Sequence, residues 1–512
     1  MRMTKGRPQT ALNFALLCDG PSLDPWIVLA VRQAVGSGFA RLTCVIATGE
    51  LDAEAVEAVD DICALSPAAP ARISLPISSD AQGHFLQDLD FVLASNGFEP
   101  VSASADIAAR MGIWRFEIAN GPTATMMQRI GDLIFRKEHV VECALVRMDS
   151  PKTVLHRGYY AIIPQSVGRT GSETLGSAGS WLGRVCADIV LNGARPGEPR
   201  EGEPLPRSER SGFSRARTAI ANRLKMQFRY RLQRQQWNVG IVKAPIAVVA
   251  GLEGASAQAD ALSRTVWMPE IPRHFFADPF GFRKKDGTIQ ILAERVDWRK
   301  PKGEIVGIAF DGTTFSRPHL VLDAPTHLSY PFLLEGPGDR LFIPEHSAGK
   351  NVSAFSIDDD CRVGGKQTWI DQAELLDCTF LERDGRRWMF ACVDSHAKNS
   401  ELHLFFADEG TGAWRPHPLN PVKSNVRSAR PAGSIFAHNG RLYRPSQDCS
   451  THYGRAVVVN EILTLTDTQY LEQEVSEVLP LDEFYNDGLH TISAVDEYTL
   501  IDGSRQKWAW SR

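Results

Sequence analysis

The second half of the chain consists of short apolar segments separated by tight-turn signals, and this pattern constrains the fold more than any other feature. Apolar and polar residues alternate in runs that recur about every 8–12 residues, a spacing typical of strands in all-β domains. Asp-Gly and Asn-Gly pairs between the runs favour the two-residue turns of β-hairpins. The pattern therefore predicts an all-β domain. Examples of these pairs are Asp286-Gly287, Asp311-Gly312, Asp384-Gly385, Asn439-Gly440 and Asp502-Gly503.

The hairpins are grouped in a longer sequence repeat of about 50 residues, which predicts five repeated units between residues 236 and 512. Repeated small sheets of this kind are typical of a five-bladed β-propeller, whose inner strands converge on a central axis. The segment Trp237–Val242 is predicted to complete the last blade and so close the ring. The predicted inner strands start near Phe276, Ser329, Leu376, Ser428 and Gly488.

The first half of the chain, residues 10–195, has the pattern of an α/β domain. Apolar strands are predicted at Asn13–Cys18, Leu42–Ala47 and Asp90–Ala94, and helical spacing over Trp26–Val35 separates the first two. Strands that alternate with helices are typical of a parallel sheet. The predicted fold is therefore an α/β parallel-sheet domain followed by an all-β five-bladed propeller.

Residues 196–235 join the two domains and contain a linker and a basic segment. The run Arg195–Arg210 is rich in Pro, Gly and charge and has little to bury, as is typical of linkers. Residues 213–235 carry seven Arg and Lys side chains and no acid, and their apolar residues share one helical face. Two interpretations stay open: a basic helix in peripheral contact with an anionic membrane, or a solvated helix packed on a domain.

Composition and charge exclude several function classes. The 512 residues include 56 Lys and Arg against 61 Asp and Glu, so bulk charge does not indicate a nucleic-acid binder. No apolar run reaches about 18 residues, the length of a membrane-spanning helix. The nine cysteines form no Cys-x-x-Cys pair, which indicates reduced thiols. The first apolar run is interpreted as a strand, so we expect a cytoplasmic protein without cofactor or metal.

Carboxyl side chains near the predicted inner strands are the candidate catalytic groups. Asp278 precedes Pro279, which cannot donate to a strand ladder, so the aspartate can turn toward the axis. Asp377 takes the corresponding place in the third blade, while Glu345 and Glu294 lie late in the second and first blades. Carboxyl groups around one funnel suit glycoside chemistry, because one protonates the leaving oxygen and another acts as base or nucleophile. The alternative is that each acid only bonds backbone N–H groups in a turn.

Residues 412–454 form the most polar stretch of the propeller and supply candidate binding groups. The guanidinium group of arginine can form paired hydrogen bonds with a carboxylate or phosphate. Amide and hydroxyl side chains can form hydrogen bonds with sugar hydroxyls. The alternative is that these arginines pair with carboxylates within the blades. Together with polar residues on other blades, the predicted substrate-binding residues are His274, Ser329, Tyr330, Arg427, Arg430, Arg444, Gln447, Asp448, Tyr453 and His490.

Several runs in the second half carry a family resemblance. FFADPFGF, HLSYPF, IPEHS, LLDCTF, RSARPAG and LYRPSQDCSTHYG occur in this order. With them, residues 236–512 resemble the N-terminal propeller domain of the plant glucosamine inositolphosphorylceramide transferases. The region is more distantly similar to the five-bladed glycosidase propellers. The transferase chemistry of the plant enzymes resides in a separate domain, so the resemblance does not imply transferase activity.

The resemblance to the glycosidases implies roles for three acids. In those propellers an Asp of blade one is base or nucleophile, an Asp of blade three tunes a pKa, and a Glu of blade four is the acid. Asp278 and Asp377 match the first two roles. The blade-four place holds the run Arg427–Arg430 and no Glu, so Glu345 would have to supply the acid from the second blade.

The first domain resembles the formyltransferase fold in its bacterial, propeller-linked form. That family places an Asn, a His and an Asp around the formyl donor, with the His as acid and base. Here Glu117 stands at the His position, and Asp149 matches the Asp. The resemblance therefore implies a domain that binds a sugar nucleotide or serves as a scaffold. It rests on Asn13–Cys18, Asp88–Phe98, Met111–Pro122 and Val146–Tyr160.

Three functions follow from these residues. The first is a carbohydrate-active protein that acts on an anionic or lipid-linked glycan in the propeller funnel, in surface-polysaccharide or glycolipid assembly. The second is a non-catalytic glycan-binding or scaffold protein, which the missing blade-four Glu favours. The third is a sugar N-formyl or acyl transferase that works through the first domain. In each case the expected ligand is a glycan or a sugar-containing small molecule rather than nucleic acid.

Overall fold

The computed structural model describes most of the chain as two compact units. These units are Met1–Ala219 with Pro418–Pro421, and Ile220–His417 with Val422–Arg512. No helix within the described segments is long and apolar enough to cross a bilayer. The residues described are 11–65, 70–74, 88–95, 109–148, 152–194, 233–335, 340–408 and 413–508.

The first unit is built on one mixed sheet, of order β3-β2-β1-β4-β5-β7-β8 with β6 beside β5. In chain order its strands are β1 (Leu12–Cys18), β2 (Ala40–Ala47), β3 (Ala71–Ser74), β4 (Phe91–Ala94), β5 (Ile113–Ile118), β6 (Gly121–Pro122), β7 (Val140–Arg147) and β8 (Thr153–Ala161). Strands β3, β2, β1, β4 and β5 pair in parallel, whereas β5, β7 and β8 pair antiparallel. The predicted parallel sheet is therefore correct for one half only, because β7 and β8 extend it as a hairpin.

Helices connect and flank these strands. The first begins at Pro25, whose missing N–H costs nothing in a first helical turn. The second is capped by Asp52, whose carboxylate accepts the N–H of Ala55 at 2.8 Å. All nine cysteines are free thiols, and all but Cys63 are buried. The helices are α1 (Pro25–Gly36), α2 (Ala53–Cys63), α3 (Met126–Phe135), α4 (Val167–Ala178) and α5 (Trp181–Asn192), with a 3₁₀ turn at Thr123–Thr125.

The second unit is an all-β propeller of five blades, as predicted. From the axis outward, blade 1 comprises His274–Arg283, Ile289–Asp297, Lys300–Phe310 and His319–Leu322, and blade 2 comprises Ser329–Glu335, Arg340–Glu345, Asn351–Ile357 and Val363–Asp371. Blade 3 comprises Leu375–Arg383, Arg386–Val393, Glu401–Asp408 and Arg415–Pro416, with Lys423–Ser424 also paired to its third strand. Blade 4 comprises Phe436–His438, Arg441–Asp448, Ala456–Leu465 and Tyr470–Val478. Blade 5 comprises Ile492–Val495, Tyr498–Trp508, Gln233–Val242 and Val266–Trp267, and its last two strands are separated by the helices Ile246–Val249 and Ala255–Ser263.

Strands from both ends of the propeller sequence close the ring. Gln233–Val242 pairs antiparallel with Tyr498–Trp508, from Gln233 opposite Trp508 to Val242 opposite Thr499. This pairing confirms the prediction that Trp237–Val242 completes the last blade. Residues 233–235, which were assigned to the basic helix, belong to this strand instead. The rest of that helix, its proposed membrane contact and the whole linker Arg195–Arg210 lie outside the described residues.

Most of the turn signals identify hairpins correctly. The pairs at residues 286, 311, 384 and 439 each lie between consecutive strands of one blade. Asp502-Gly503 does not, because both residues lie inside the strand Tyr498–Trp508. The inner strands of blades 4 and 5 start at Phe436 and Ile492, later than predicted, because hydrogen-bonded loops precede them.

Aromatic residues of the inner strands pack between neighbouring blades. The ring centroids of Phe280 and Phe332 lie 5.4 Å apart, and those of Phe332 and Phe380 lie 5.5 Å apart. These residues belong to blades 1, 2 and 3 in turn. Each large buried ring contributes about 1.5–3 kcal/mol through burial. The packing fixes the inner strands and thereby positions the polar residues at their starts.

Candidate functional site

Three inner strands carry the same irregularity close to their starts. Asp278, Tyr330 and Asp377 have positive φ angles of 52°, 42° and 50°, in the left-handed region that non-glycine residues rarely adopt. At each, the ladder to the neighbouring strand skips two residues, which marks a bulge. Backbone strain of this kind is concentrated at functional sites. The repeated bulge aims one side chain from each of blades 1, 2 and 3 out of its own sheet.

Asp278 is 5% exposed, and its carboxylate accepts hydrogen bonds from two neighbouring blades. Its Oδ1 accepts the hydroxyl of Thr491 at 2.8 Å, and its Oδ2 accepts the N–H of Tyr330 at 3.3 Å. Burial raises the pKa of Asp278 to about 7, and the nearby carboxylates of Glu294 and Asp377 add to the rise. The predicted candidate therefore exchanges a proton near neutral pH, as a general acid or base does.

His490 and Asp502 support Asp278 from blade 5. The Nε2 atom of His490 lies 3.6 Å from Oδ1 of Asp278, and its Nδ1 lies 2.6 Å from Oδ2 of Asp502. Asp502 also accepts the backbone N–H groups of Asp278, His490 and Thr491 at 3.1, 2.9 and 3.0 Å. Burial alone would lower the pKa of His490, but the two carboxylates outweigh it and raise that pKa to about 9. His490 is therefore a cation at neutral pH.

Asp377 is held by side chains of the loop and strand that follow blade 3. Nε of Arg430 donates to its Oδ2 at 2.6 Å, and the amide of Gln447 donates to the same oxygen at 2.9 Å. The N–H of Asp377 donates to Oε2 of Glu345 at 3.3 Å. Burial and the charge of Asp377 raise the pKa of Glu345 to about 8. Asp377 is thus hydrogen-bonded to Glu345 and influences Asp278 through its charge, so the three predicted acids form one electrostatic network.

Tyr330, predicted to bind substrate, instead connects blades through its buried hydroxyl. Its side chain is fully buried. Its hydroxyl accepts the N–H of Gly433 at 2.6 Å, donates to the carbonyl of Gly433 at 3.3 Å, and lies 2.7 Å from the hydroxyl of Thr379. These bonds link blade 2 to blade 3 and to the segment before blade 4. The prediction of ligand contact is corrected, because the hydroxyl is already engaged by the protein.

Two further predicted residues, Arg444 and Asp448, lie inside blade 4. Arg444 is fully buried, and its guanidinium donates to Glu472 at 2.6 and 2.8 Å. Asp448 accepts Arg427 at 3.2 Å and Arg455 at 2.9 Å. For these residues the alternative interpretation, that arginines pair with carboxylates within a blade, is correct. They stabilise the blade and do not reach the acids.

The other predicted binding residues are divided between the site and its surroundings. Tyr453 is 38% exposed, and its ring lies 5.3 Å from the His490 ring and 5.2 Å from the Arg430 guanidinium. Ser329 is buried beside Tyr330 and pairs in register with Glu345. His274 lies away from the acids, with Nδ1 3.0 Å from the carbonyl of Pro272 and Nε2 3.9 Å from Asp297.

One group in the described part of the chain has the donors to hold a cation. The ligand atoms of Asp278, His490 and Asp502 lie within 4.8 Å of one another. Two carboxylates and an imidazole fit a divalent cation. Such an ion must compete with the proton of His490, whose pKa is about 9. The imidazolium already supplies the positive charge that two buried carboxylates require.

Glu117, which the sequence resemblance assigns to the histidine position of a formyltransferase, lies in β5 of the first unit. Its carboxylate accepts Arg115 at 2.6 Å and Lys152 at 2.7 Å, beside a cavity of about 140 Å³. Burial would raise its pKa, but Lys152 and Arg115 together lower it. A carboxylate held as an ion by two cations does not replace a proton-donating imidazole. The candidate Asp149 lies outside the described residues.

The sequence does not identify Asp502 as a site residue, because its Asp-Gly pair looks like a turn. The glycine is required for packing, since a Cβ at Gly503 would lie 2.5 Å from the Trp267 ring. The aspartate is required to accept the three backbone N–H groups. The sequence signal that could distinguish this pair from a turn is the strand-forming residues on both sides of it, which indicate a position inside a strand.

The acids give the native state a specific pH dependence. The pKa values of Asp278, Glu345 and His490 rise on folding to about 7, 8 and 9 from ordinary values of 3.8, 4.5 and 6.5. A raised pKa stabilises the folded state fully below the unfolded value, and that stabilisation is lost as the pH rises through the folded value. We therefore expect the free energy of unfolding to fall between pH 6 and pH 9. Glu345 alone contributes on the order of 3 kcal/mol to this loss.

The variant Glu345→Gln tests this pH dependence, because an amide resembles the protonated acid. Its unfolding free energy in denaturant should match that of wild type near pH 4, below the ordinary pKa of 4.5, and should exceed it by a growing margin as the pH rises to 9. Glu497→Gln, at an exposed ion pair with Arg283, is the matched control and should follow wild type. Parallel pH profiles for wild type and Glu345→Gln would show that Glu345 does not titrate in this range.

Comparisons with known proteins agree with the sequence resemblance of the second half. The family model of the N-terminal region of glucosamine inositolphosphorylceramide transferase 1 matches residues 262–485. The rice (Oryza sativa subsp. japonica) protein of that name is 32% identical over 212 residues, and the Arabidopsis thaliana protein is 29% identical over 217 residues. Each alignment covers 40% of this chain and 28% of the plant protein. The chain therefore matches little more than a quarter of the length of these curated relatives.

Similar solved structures include glycoside hydrolases. A thermostable family-43 glycoside hydrolase has 12% identity and a TM-score of 0.33, covering 39% of this chain and 75% of its own. An exo-β-1,3-galactanase from Clostridium thermocellum has 10% identity and a TM-score of 0.33, covering 41% and 53%. A protein of unknown function from Dyadobacter fermentans has 12% identity and a TM-score of 0.31, covering 47% and 97%.

Proposed function

We propose that the propeller binds a sugar-containing ligand at its axis and that the acids there exchange protons with it. The observation that carries this proposal is the single buried network of Asp278, Asp377, Glu345, Arg430 and His490, in which two carboxyl groups have pKa values near neutrality. Structural ion pairs do not require protonated acids. Acids poised near their working pH are typical of proton-transfer sites.

The groups divide into proton carriers and supports. Glu345, with a pKa of about 8, is the proton donor to a glycosidic or phosphate-ester oxygen. Asp278, with a pKa of about 7, accepts a proton when ionised, and His490 stabilises that ionised form. Arg430 orients Asp377 by two contacts, at 2.6 and 3.4 Å. The exposed ring of Tyr453 offers an apolar face against which a sugar can stack.

The names of the relatives suggest the ligand class. The matched plant proteins are named for glucosamine and inositolphosphorylceramide. We extend to this chain only the chemistry in those names: a sugar or inositol phosphate head group, presented on a lipid or free. A role in glycolipid or surface-glycan assembly is the part of this proposal that the relatives' names support.

Ligand binding by the full chain tests the proposal. Glucosamine, inositol 1-phosphate and inositolphosphorylceramide in detergent micelles are each titrated while thermal unfolding is followed. We expect a saturable rise in Tm, since a ligand at 100 times its Kd stabilises by about 2.7 kcal/mol. Asp278→Asn should abolish the rise. Asp384→Asn, the same change in an exposed turn, should retain it. A rise of equal size in Asp278→Asn, or none in wild type, contradicts the proposal.

A second candidate is binding without chemistry. Its support is the run Arg427–Arg430, which the sequence resemblance assigns to the blade-four acid of the glycosidases and which contains no Glu; within it, Arg430 pairs with Asp377. A chromogenic aryl glycoside of glucosamine separates the two candidates. Turnover that is lost in Glu345→Gln while glucosamine binding persists favours chemistry. Glucosamine binding by wild type without turnover favours a binding protein.

A further inference from the structure

Glu294 and His327 form a second acid–imidazole pair next to Asp278. Glu294 lies on the second strand of blade 1 opposite Ala277, directly before the bulge that contains Asp278. Nε2 of His327 lies 3.1 Å from Oε1 of Glu294. The charges of Glu345 and Asp278 are both close enough to influence His327. The pair therefore belongs to the same end of the propeller as the acids of the candidate site.

The backbone of blade 1 determines which nitrogen of His327 faces Glu294. The N–H of Gly303 donates to Nδ1 of His327 at 2.9 Å. Because Nδ1 accepts this bond, the neutral ring carries its hydrogen on Nε2 and donates it to Glu294. A side chain at position 303 is excluded, since a Cβ there would lie 2.7 Å from Oε1 of Glu294 and 2.2 Å from the carbonyl oxygen of Leu328. The glycine leaves room for the pair.

The two members of the pair differ in exposure. The His327 side chain is 43% exposed, whereas that of Glu294 is 8% exposed. Both ring nitrogens of His327 are engaged by the protein, so its contribution is to orient Glu294. Among the described residues, no hydrogen bond reaches the second carboxylate oxygen of Glu294. An ionised carboxylate only accepts hydrogen bonds, so this oxygen suits a ligand that donates.

We propose that Glu294 accepts a hydrogen bond from a hydroxyl group of the sugar bound beside Asp278, and that His327 is the positioning residue for its carboxylate. This inference rests on the proposed function of the axis. It adds a further carboxyl group to Asp278, Asp377 and Glu345, and this group is the second from blade 1. It also specifies the ligand face: a polyol edge that donates to Glu294 while the reacting oxygen faces Asp278 and Glu345.

The test is titration calorimetry of the full chain with glucosamine and with inositol 1-phosphate. Glu294→Gln and His327→Ala should each weaken binding about 10-fold or more, the usual effect of losing a charge-assisted hydrogen bond. His327→Gln should retain affinity within about 3-fold, because its amide can donate where Nε2 does. His319→Ala, at an exposed histidine on the outer strand of the same blade, is the matched control and should bind as wild type does.

The outcomes separate this inference from the proposed function. Wild-type affinity in Glu294→Gln together with lost binding in Asp278→Asn overturns the role of Glu294 and leaves the proposed function intact. Failure of wild type to bind either probe overturns both. If Glu294→Gln does not fold, the comparison of His327→Ala with His327→Gln decides, since equal losses in the two contradict the positioning role.

A measurement without ligand checks the same geometry. In the full chain labelled with ¹⁵N-histidine, the signal missing from His327→Gln identifies His327. We expect its neutral ring to carry hydrogen on Nε2. Hydrogen on Nδ1 would contradict the donation to Glu294 and overturn the inference.

Discussion

Replacement of Arg430 by methionine is expected to destabilise the propeller by about 3–5 kcal/mol, the usual cost of removing one partner from a buried ion pair. Asp377 is 2% exposed and receives the guanidinium at 2.6 Å. Without Arg430, the Gln447 amide is the side-chain donor that still bonds this carboxylate among the described residues. The carboxylate also lies close to the buried carboxyl group of Glu345. Methionine restores much of the lost volume, so the cost measures charge rather than packing.

Equilibrium unfolding in urea measures this effect. Arg441→Met is the matched control, because its pair with Glu461 is on the surface and should change stability by less than about 1 kcal/mol. The double variant Arg430→Met/Asp377→Asn should recover part of the loss, since the stranded charge is gone. If Arg430→Met is as stable as the control, Asp377 does not depend on this arginine as we describe.

The variant Gly433→Ala is expected to prevent stable closure between blades 4 and 5, at a cost above about 4 kcal/mol. Gly433 has a φ of 117°, and a Cβ there would lie 1.7 Å from the carbonyl oxygen of Ile492. The same residue bonds the Tyr330 hydroxyl through both its N–H and its carbonyl. An alanine must therefore displace backbone on one side and break the central tyrosine contact on the other.

Circular dichroism and urea unfolding check this prediction against Gly440→Ala. Gly440 also has a positive φ, 76°, but its Cβ would meet open space in a hairpin turn. The control should therefore lose only about 1 kcal/mol. Equal stability of the two variants would mean that blades 4 and 5 do not meet at Gly433 as the structure has them.

The propeller could be predicted from the sequence because its signals are local. Alternating residues and turn pairs identify hairpins within a few residues, and the repeat of about 50 residues identifies the blades. The start of blade 4 was placed eight residues early, at Ser428 rather than Phe436. The intervening residues 428–435 form an irregular loop that carries Arg430 to Asp377, and strand periodicity contains no information about such a loop.

The site could be predicted only in part. Asp278 and Asp377 were identified because they stand at equivalent places in two blades. Arg444 was misassigned, since a guanidinium suits a buried carboxylate such as Glu472 as well as an anionic ligand. Asp502 was missed because its role depends on backbone N–H groups 11 to 224 residues away in the sequence. Interactions over such separations leave no local pattern.

The sheet of the first domain shows a similar limit. Its strands were predicted near their observed positions, but β7 and β8 join it antiparallel. The direction of a strand depends on the path of the preceding connection, and the apolar pattern of a buried strand is the same in both orientations. Local sequence therefore indicated an α/β domain without specifying a mixed sheet.

A crystal structure of the full chain with glucosamine or inositol 1-phosphate tests the central claim most directly. We predict ligand density at the propeller axis, with a ligand oxygen or nitrogen within hydrogen-bond distance of the Asp278 carboxyl group and the ring of Tyr453 against its apolar face. Density that lies elsewhere, or an axis without density at a concentration that saturates binding in solution, would contradict the assignment of this network as a sugar site.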